Sequence, residues 1–97
     1  MSQPSFTISD THPALAGHFP DHPIVPGVVI LEKITDYLLQ QYPTKQVVGF
    51  SNVKFLAPLL PNQTVCLSHT EKENMCIVIG HVNEQLLLKA QVQVEQV

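Results

Sequence analysis

The chain has 97 residues, of which 44% are hydrophobic and 13% are charged. This composition predicts one small globular domain over residues 1–97 and excludes a disordered polar segment. Five lysines and eight acidic residues give a formal net charge of −3, and arginine is absent. Because arginine supplies the planar fork that binds phosphate and guanine, no nucleic acid partner is expected.

The apolar runs are short and the cysteines are few. The apolar run that stops at Glu32 is far shorter than the roughly 20 residues that cross a bilayer. Residues 1–10 lack a basic start followed by an apolar stretch, so no secretion signal is predicted. Cys66 and Cys76 have no CxxC spacing and are interpreted as reduced thiols. We therefore expect a cytoplasmic protein that does not enter a membrane, and its small size favours self-association.

The first quarter of the chain combines a strand candidate with a proline-rich path. Ser5 to Ser9 has the composition of a short strand. Five of the eight prolines lie between Pro4 and Pro26. Since proline fixes the backbone φ angle and has no N–H group, His12 to Gly27 is predicted to be stiff and mostly non-helical.

One buried helix of about 15 residues is predicted for Val28 to Gln41, which contains neither glycine nor proline and precedes Pro43. Its apolar face is predicted to carry Val28, Leu31, Ile34, Leu38 and Tyr42 at spacings of three and four, widened by Val29, Ile30 and Leu39. This width predicts a helix that is covered on most sides. Tyr37 and Tyr42 do not share a helix face and are predicted to be partly exposed.

The second half of the chain is typical of antiparallel strands joined by polar turns. The predicted strands are Gln46 to Ala57, Thr64 to Thr70, Met75 to Val82 and Leu86 to Val94. The fold class is therefore α+β, with a curved sheet wrapped around one central helix. If Thr70 pairs near Met75, Cys66 faces Ile79 and Cys76 faces His69, and the two thiols are not neighbours.

Three residues in and after the proline-rich path suit acid–base chemistry on a carbonyl compound. His18 lies in a loop framed by Gly17 and Pro20, and histidine accepts a proton near neutral pH. Gly27 opens the helix directly after Pro26, so its unpaired amide can donate to a developing oxyanion.

Glu32 completes the set as the acid. It interrupts an otherwise apolar helix face, and loss of water contacts favours the protonated carboxyl group, which can then donate a proton. A base, an oxyanion donor and an acid together can eliminate water beta to a thioester carbonyl. His18 would take the alpha proton, Gly27 would stabilise the enolate-like oxygen and Glu32 would protonate the departing hydroxyl.

The segment Gly17 to Glu32, GHFPDHPIVPGVVILE, resembles the active-site segment of the 3-hydroxyacyl-acyl-carrier-protein dehydratases, the FabZ and FabA type. In that family the histidine lies fourteen positions before the carboxylate and nine positions before the glycine that starts the helix. His18 lies at these same distances before Glu32 and Gly27. The resemblance continues weakly through Val53 to Pro58 and Leu60 to Gln63, and so covers most of the chain.

The resemblance implies a hotdog fold and a dimer in which His18 of one subunit faces Glu32 of the other. Gly27 would polarise the carbonyl, while Gly17, Phe19, Pro20 and Pro26 would shape the loop. The acyl chain would occupy a tunnel at the interface, carried on the phosphopantetheine of acyl carrier protein or coenzyme A, with no further cofactor and no metal. Tunnel depth, and with it acyl chain length, would depend on the packing of Val28, Leu31 and Phe50.

Two features depart from typical members of that family. The chain begins close to the histidine loop, so the usual N-terminal helix and first strand are expected to be missing. Carrier docking usually uses basic residues, and the candidates for this role are Lys33, Lys45, Lys54 and Lys89.

Other interpretations of the same residues stay open. The protein could be a hotdog thioesterase that activates water with a carboxylate, or an acyl-binding subunit that completes a heterodimer. His18 could be a packed loop residue, Glu32 a solvated one and Gly27 a simple helix-start glycine. His12, His18 and His22 only weakly suggest zinc, because no cysteine or carboxylate completes the ligand set. Phe50 and Phe55 are predicted to lie in the core.

Overall fold

The structure, a computed structural model, describes residues 4–15 and 24–96. In this part of the chain one long helix is accompanied by five strands and one 3-10 turn, Pro13–Leu15. The helix α1 is Gly27–Gln41, and the strands are β1 Ser5–Thr7, β2 Lys45–Phe55, β3 Thr64–Lys72, β4 Met75–Val82 and β5 Gln85–Gln96. The predicted α+β fold with a curled antiparallel sheet and one helix is confirmed.

The strands form one antiparallel sheet in the order β1-β3-β4-β5-β2. Two-residue turns join β3 to β4 and β4 to β5, and the backbone has a φ of 56° at both Glu73 and Asn83. The tight first turn lets the strands pair as far as Lys72 and Met75. The predicted register is therefore wrong by two residues, because it requires a four-residue turn.

The corrected register still separates the two cysteines. Cys66 lies opposite His81, and Cys76 lies opposite Glu71. Both thiols are free.

The core lies between α1 and the facing side of the sheet. The predicted alternation along β5 is confirmed, since its inward residues are at most 2% exposed. The core also includes residues from α1, β3, β4 and the adjoining loops: Ile8, Val29, Ile30, Ile34, Leu38, Leu59, Val65, Leu67, Cys76 and Val78, which meet Leu88, Ala90, Val92 and Val94 of β5. No helix in residues 4–15 and 24–96 has the length and apolar character needed to cross a membrane.

The helix is buried on one side only, which corrects the sequence prediction. Its buried residues are Val29, Ile30, Ile34, Tyr37 and Leu38. Val28, predicted to be in the core, is 64% exposed, and Leu39 is 41% exposed. Residues spaced three and four apart lie on one line along a helix. Here the sheet covers the adjacent line of residues instead of the predicted one. We call the line formed by Val28, Glu32 and Leu39 the outer stripe.

A polar cluster at the C-terminal end of α1 was not predicted. Tyr37, which is buried rather than partly exposed, contacts Nδ1 of His69 through its hydroxyl. The Tyr42 hydroxyl lies 2.9 Å from Nε2 of the same ring. Hydrogen bonds from Tyr42 and Lys45, with the nearby Lys45 charge, lower the pKa of Glu71, and Lys45 Nζ lies 3.3 Å from its carboxylate.

Both ring nitrogens of His69 have a tyrosine hydroxyl as partner. In either neutral tautomer, one nitrogen of the His69 ring donates to a tyrosine hydroxyl and the other accepts from the second tyrosine hydroxyl. The cluster thus ties the end of α1 to β3.

Raising the pH is expected to destabilise the fold through Tyr42. Its hydrogen bond to Glu71, with burial as a further cause, raises the pKa of Tyr42 from 10.0 to about 12. A group that holds its proton more tightly in the folded state lowers stability as the pH rises between the unfolded and folded pKa values. The free energy of unfolding, measured in urea between about pH 10 and about pH 12, should fall less steeply in Tyr42→Phe than in the wild type. An identical slope in the two proteins would contradict this assignment.

Candidate active site

The start of α1 presents backbone amides without a side-chain cap. The cap residue Pro26 has φ −61° and ψ 143° and makes no side-chain hydrogen bond to the helix. The Val29 amide donates to the Pro26 carbonyl at 3.0 Å. Because the first amides of a helix have no acceptor within the helix and lie at its positive end, the Gly27 amide is suited to an oxyanion.

Gly27 also has a packing role that its sequence context did not reveal. A Cβ atom built on Gly27 would lie 3.1 Å from one ring carbon of Phe55 and 3.2 Å from another. Any side chain at this position would therefore displace the Phe55 ring. Phe55, predicted to be in the core, is 43% exposed and lies over the helix start instead.

An apolar cavity of about 210 Å³ opens beside Gly27. It is lined by Ile24, Val25, Gly27, Ile30, Phe55, Ala57, Pro58 and Leu59. The cavity forms because the chain after β2 runs beside the helix start, where the Val25 amide donates to the Leu59 carbonyl at 2.8 Å. The pairing of Val25 with Leu59 joins segments that are distant in the chain, so it leaves no periodic signal in the sequence. Val28, Leu31 and Phe50, which were predicted to set acyl chain length, do not line this cavity.

Glu32 lies on the outer stripe and is exposed in this single chain, whereas the sequence suggested apolar surroundings. Val28 lies one turn before Glu32 and Leu39 two turns after it, and both are exposed apolar side chains. A carboxylate on an uncovered stripe that also carries apolar side chains is suited to contact with another molecule.

Gly27 and Glu32 point to different sides of α1. They are five residues apart, which corresponds to about 140° around a helix and about 7.5 Å along its axis. Gly27 faces Phe55, whereas Glu32 faces away from the sheet. The two groups of one chain are therefore poorly placed to act on the same atoms of one ligand.

The histidine loop lies outside the described residues. Gly17, His18, Phe19 and Pro20 fall between the described residues Leu15 and Ile24, as does His22. The roles given to these residues stay predictions. On either side of this segment the chain is anchored by buried residues, Leu15 and Val25.

Within residues 4–15 and 24–96, no group of three or more His, Cys, Asp or Glu side chains is placed to hold a metal ion. His18 and His22 are not among these residues, so the weak zinc hypothesis stays untested.

Curated relatives of the chain are 3-hydroxyacyl-acyl-carrier-protein dehydratases named FabZ. The protein from Histophilus somni is 33% identical over 69 residues, which cover 62% of this chain and 46% of the relative. The protein from Lawsonia intracellularis is 31% identical over 85 residues, which cover 76% of this chain and 51% of the relative. The chain thus spans about half the length of the curated relatives it matches.

Solved structures share the fold at low sequence identity. The dehydratase heterocomplex ApeI:P from Xenorhabdus doucetiae has a TM-score of 0.80 and 22% identity, covering 93% of this chain and 82% of that one. An uncharacterised protein from Erwinia carotovora subsp. atroseptica has a TM-score of 0.84 and 18% identity, covering 96% of this chain and 81% of that one.

The sequence profile of a family described as ApeI-like, ApeI dehydratase, matches residues 2–91. This match includes the proline-rich path, α1 and most of the sheet. The chain belongs to the ApeI-like dehydratase family.

Proposed function

We propose that the protein removes water from a 3-hydroxyacyl thioester and forms the trans-2-enoyl thioester. The observation that carries this proposal is the family match over residues 2–91, which contains the His18, Gly27 and Glu32 spacing. The apolar cavity beside Gly27 supports it, because an acyl group bound there places its thioester near the helix amides.

Three groups of the protein, one base, one backbone amide and one acid, carry out the elimination. His18 takes the proton from the carbon alpha to the thioester carbonyl, and the electron pair moves onto the carbonyl oxygen. The Gly27 amide donates a hydrogen bond to that oxygen. As the carbon–carbon double bond forms, the beta carbon–oxygen bond breaks and Glu32 protonates the hydroxyl, which leaves as water. His18 returns its proton to Glu32 through solvent, so the protein ends in its starting state.

The acid and the base of each site come from two subunits in this proposal. The outer stripe supports this arrangement, since it is uncovered in the single chain and presents the exposed apolar side chains of Val28 and Leu39 together with Glu32. The wide angle between Gly27 and Glu32 around α1 also favours a partner's carboxyl group at each Gly27. We propose a homodimer as the active form, acting on substrates carried by acyl carrier protein or coenzyme A.

A heterodimer with a related subunit is the second candidate. The observation that favours it is the structural similarity to the heterocomplex ApeI:P, in which that protein is assembled with a partner. The mass of the purified protein in solution separates the two candidates. A homodimer would have about twice the chain mass of 10.8 kDa and would be active alone, whereas an inactive monomer that gains activity with a related subunit would establish the heterodimer.

The reaction is tested by following two products from one substrate. A 3-hydroxyacyl pantetheine thioester is incubated with the protein, and enoyl thioester formation and free thiol release are measured together. The proposal predicts enoyl formation without thiol release. Thiol release without enoyl formation would contradict it and would identify a thioesterase.

A further inference from the structure

The five lysines of the chain differ sharply in their electrostatic surroundings. Lys45 is paired with Glu71 at 3.3 Å. Lys72 follows Glu71 and precedes Glu73 in the sequence, and Lys33 lines a cavity of about 280 Å³ together with Asp36. Each of these three lysines has a carboxylate beside it in the sequence or the structure.

Lys54 and Lys89 differ from the others because they face each other. They are direct partners in the β2–β5 ladder, and both are exposed. Among the described residues, no carboxylate oxygen lies within 4.0 Å of either ammonium group. Like charges at directly opposite positions of a sheet destabilise it. The fold therefore carries a local electrostatic cost at this pair, and among the described residues no ion pair to either lysine offsets it.

A β-bulge creates this pair. Ser51 is opposite Gln91, so an unbroken register would place Lys54 opposite Leu88, which faces the core. The register shifts between Ser51 and Lys54, where Asn52 has a φ of 50°. An extra residue in one strand reverses the face of the residues that follow it. The bulge thus brings Lys54 to the outer face of the sheet, opposite Lys89.

The surroundings of the pair are polar and concave. Lys54, Lys89, Asn52 and Gln91 line a depression of about 200 Å³. The Asn52 Nδ2 group donates to the Gln91 Oε1 atom at 2.9 Å, which holds the rim together. Two ammonium groups and neutral amides form a site that suits an anion and repels a cation.

The pair lies at the same end of the sheet as the candidate active site. Phe55, whose ring lies over Gly27, directly follows Lys54 in β2. The neighbouring Leu56 amide donates to the Leu87 carbonyl at 2.7 Å, two residues before Lys89. Because adjacent strand residues point to opposite faces, the lysines lie outside the apolar cavity, on the other face of the sheet from Gly27, and β2, which carries Lys54, is the edge strand around which the two faces connect.

We propose that Lys54 and Lys89 bind the phosphate group at the far end of the substrate's pantetheine arm. This inference rests on the proposed function, since it assumes a substrate whose thioester lies near Gly27. A pantetheine arm carries its thioester at one end and a phosphate ester at the other, so an anion site outside the acyl cavity, around the edge strand β2, matches this chemistry. The same phosphate ester occurs on carrier proteins and in coenzyme A.

Binding of matched probes tests the site without any need for turnover. Dissociation constants are measured for 4′-phosphopantetheine and for pantetheine, which differ only in the phosphate. The wild type should bind the phosphorylated probe about 3- to 10-fold more tightly, and salt should reduce this preference because the lysines are exposed. Lys54→Gln/Lys89→Gln should bind both probes equally. Lys33→Gln/Lys72→Gln, which also removes two charges, should keep the wild-type preference.

Each of the following results would overturn the inference: no phosphate preference in the wild type, a preference that survives in Lys54→Gln/Lys89→Gln, or an equal loss of preference in Lys33→Gln/Lys72→Gln. A preference seen only with coenzyme A would place the recognised charge on the nucleotide and would also overturn it. Equal binding of coenzyme A and 4′-phosphopantetheine supports it. Enoyl formation is scored separately, so a protein that lacks dehydration activity but keeps the phosphate preference refutes the proposed reaction alone.

The thermal midpoint distinguishes loss of binding from loss of structure. Because the two lysines repel each other, Lys54→Gln/Lys89→Gln should unfold at a temperature equal to or above that of the wild type. A lower midpoint would show that the pair stabilises the fold, which would contradict the electrostatic argument.

Discussion

Replacing Glu32 with glutamine is expected to lower kcat for dehydration by about 10²- to 10⁴-fold, the usual contribution of a general acid. Glutamine keeps the size of the side chain and its position on the outer stripe, but it cannot protonate the departing hydroxyl. Substrate binding should therefore change little. The measurement is steady-state enoyl formation from a 3-hydroxyacyl thioester, with KM determined in the same series.

Asp36→Asn is the matched control for this substitution. Asp36 is an exposed carboxylate one turn further along α1, and its change to an amide removes the same charge. It should keep the wild-type kcat. If Glu32→Gln keeps the wild-type kcat, or if both variants lose activity equally, the acid role of Glu32 is wrong.

Replacing Leu88 with alanine is expected to lower the free energy of unfolding by about 3–5 kcal/mol. Leu88 is completely buried in the interior strand β5, and it lies opposite Gly80 and Phe55 in the two ladders. A Cβ atom built on Gly80 would lie 3.2 Å from Leu88 Cγ, so the leucine side chain fills the space above this glycine. Shortening it leaves a cavity in the core. Urea denaturation at one fixed protein concentration measures the effect.

Leu86→Ala provides the comparison on the same strand. Leu86 is 38% exposed and its truncation should cost less than about 1 kcal/mol. Equal losses in the two variants would show that the inward face of β5 has been assigned incorrectly.

The buried face of a strand was predictable from the sequence where its other face is exposed to solvent. Leu88, Ala90, Val92 and Val94 alternate with polar residues, and this period of two identifies the buried face directly. The register of β3 and β4 was not predictable in the same way, because it depends on whether Glu73 adopts a positive φ. A two-residue turn and a four-residue turn fit the same polar sequence.

The helix shows a different limit of prediction from the sequence. Its ends follow from Pro26, Gly27 and Pro43, but its apolar residues occupy most of its circumference. Periodicity alone therefore does not show which stripe meets the sheet. Val28 is predicted to be in the core and is exposed, because the sheet covers the side that carries Ile30 and Ile34.

The candidate site combines local and distant features. Gly27 and Glu32 were found from short-range spacing, because both belong to one helix. The Phe55 ring over Gly27 and the Leu59 carbonyl beside Val25 depend on contacts between distant segments, which leave no local pattern. The Tyr37–His69–Tyr42 cluster was missed for the same reason, since His69 is 32 and 27 residues from its two partners.

The central claim is that His18 of one subunit and Glu32 of the other act on one substrate molecule. It is tested by mixing two inactive variants, His18→Ala and Glu32→Gln, after joint unfolding and refolding or by coexpression. In a symmetric dimer with shared sites, each mixed dimer contains one site with both wild-type groups.

Random pairing places half of the dimers in the mixed form, each with one of its two sites intact. The account therefore predicts that the mixture recovers about a quarter of the wild-type activity per subunit, although each variant alone is inactive. Activity that stays at the level of the separate variants, in a mixture shown by mass to contain mixed dimers, would contradict the shared site.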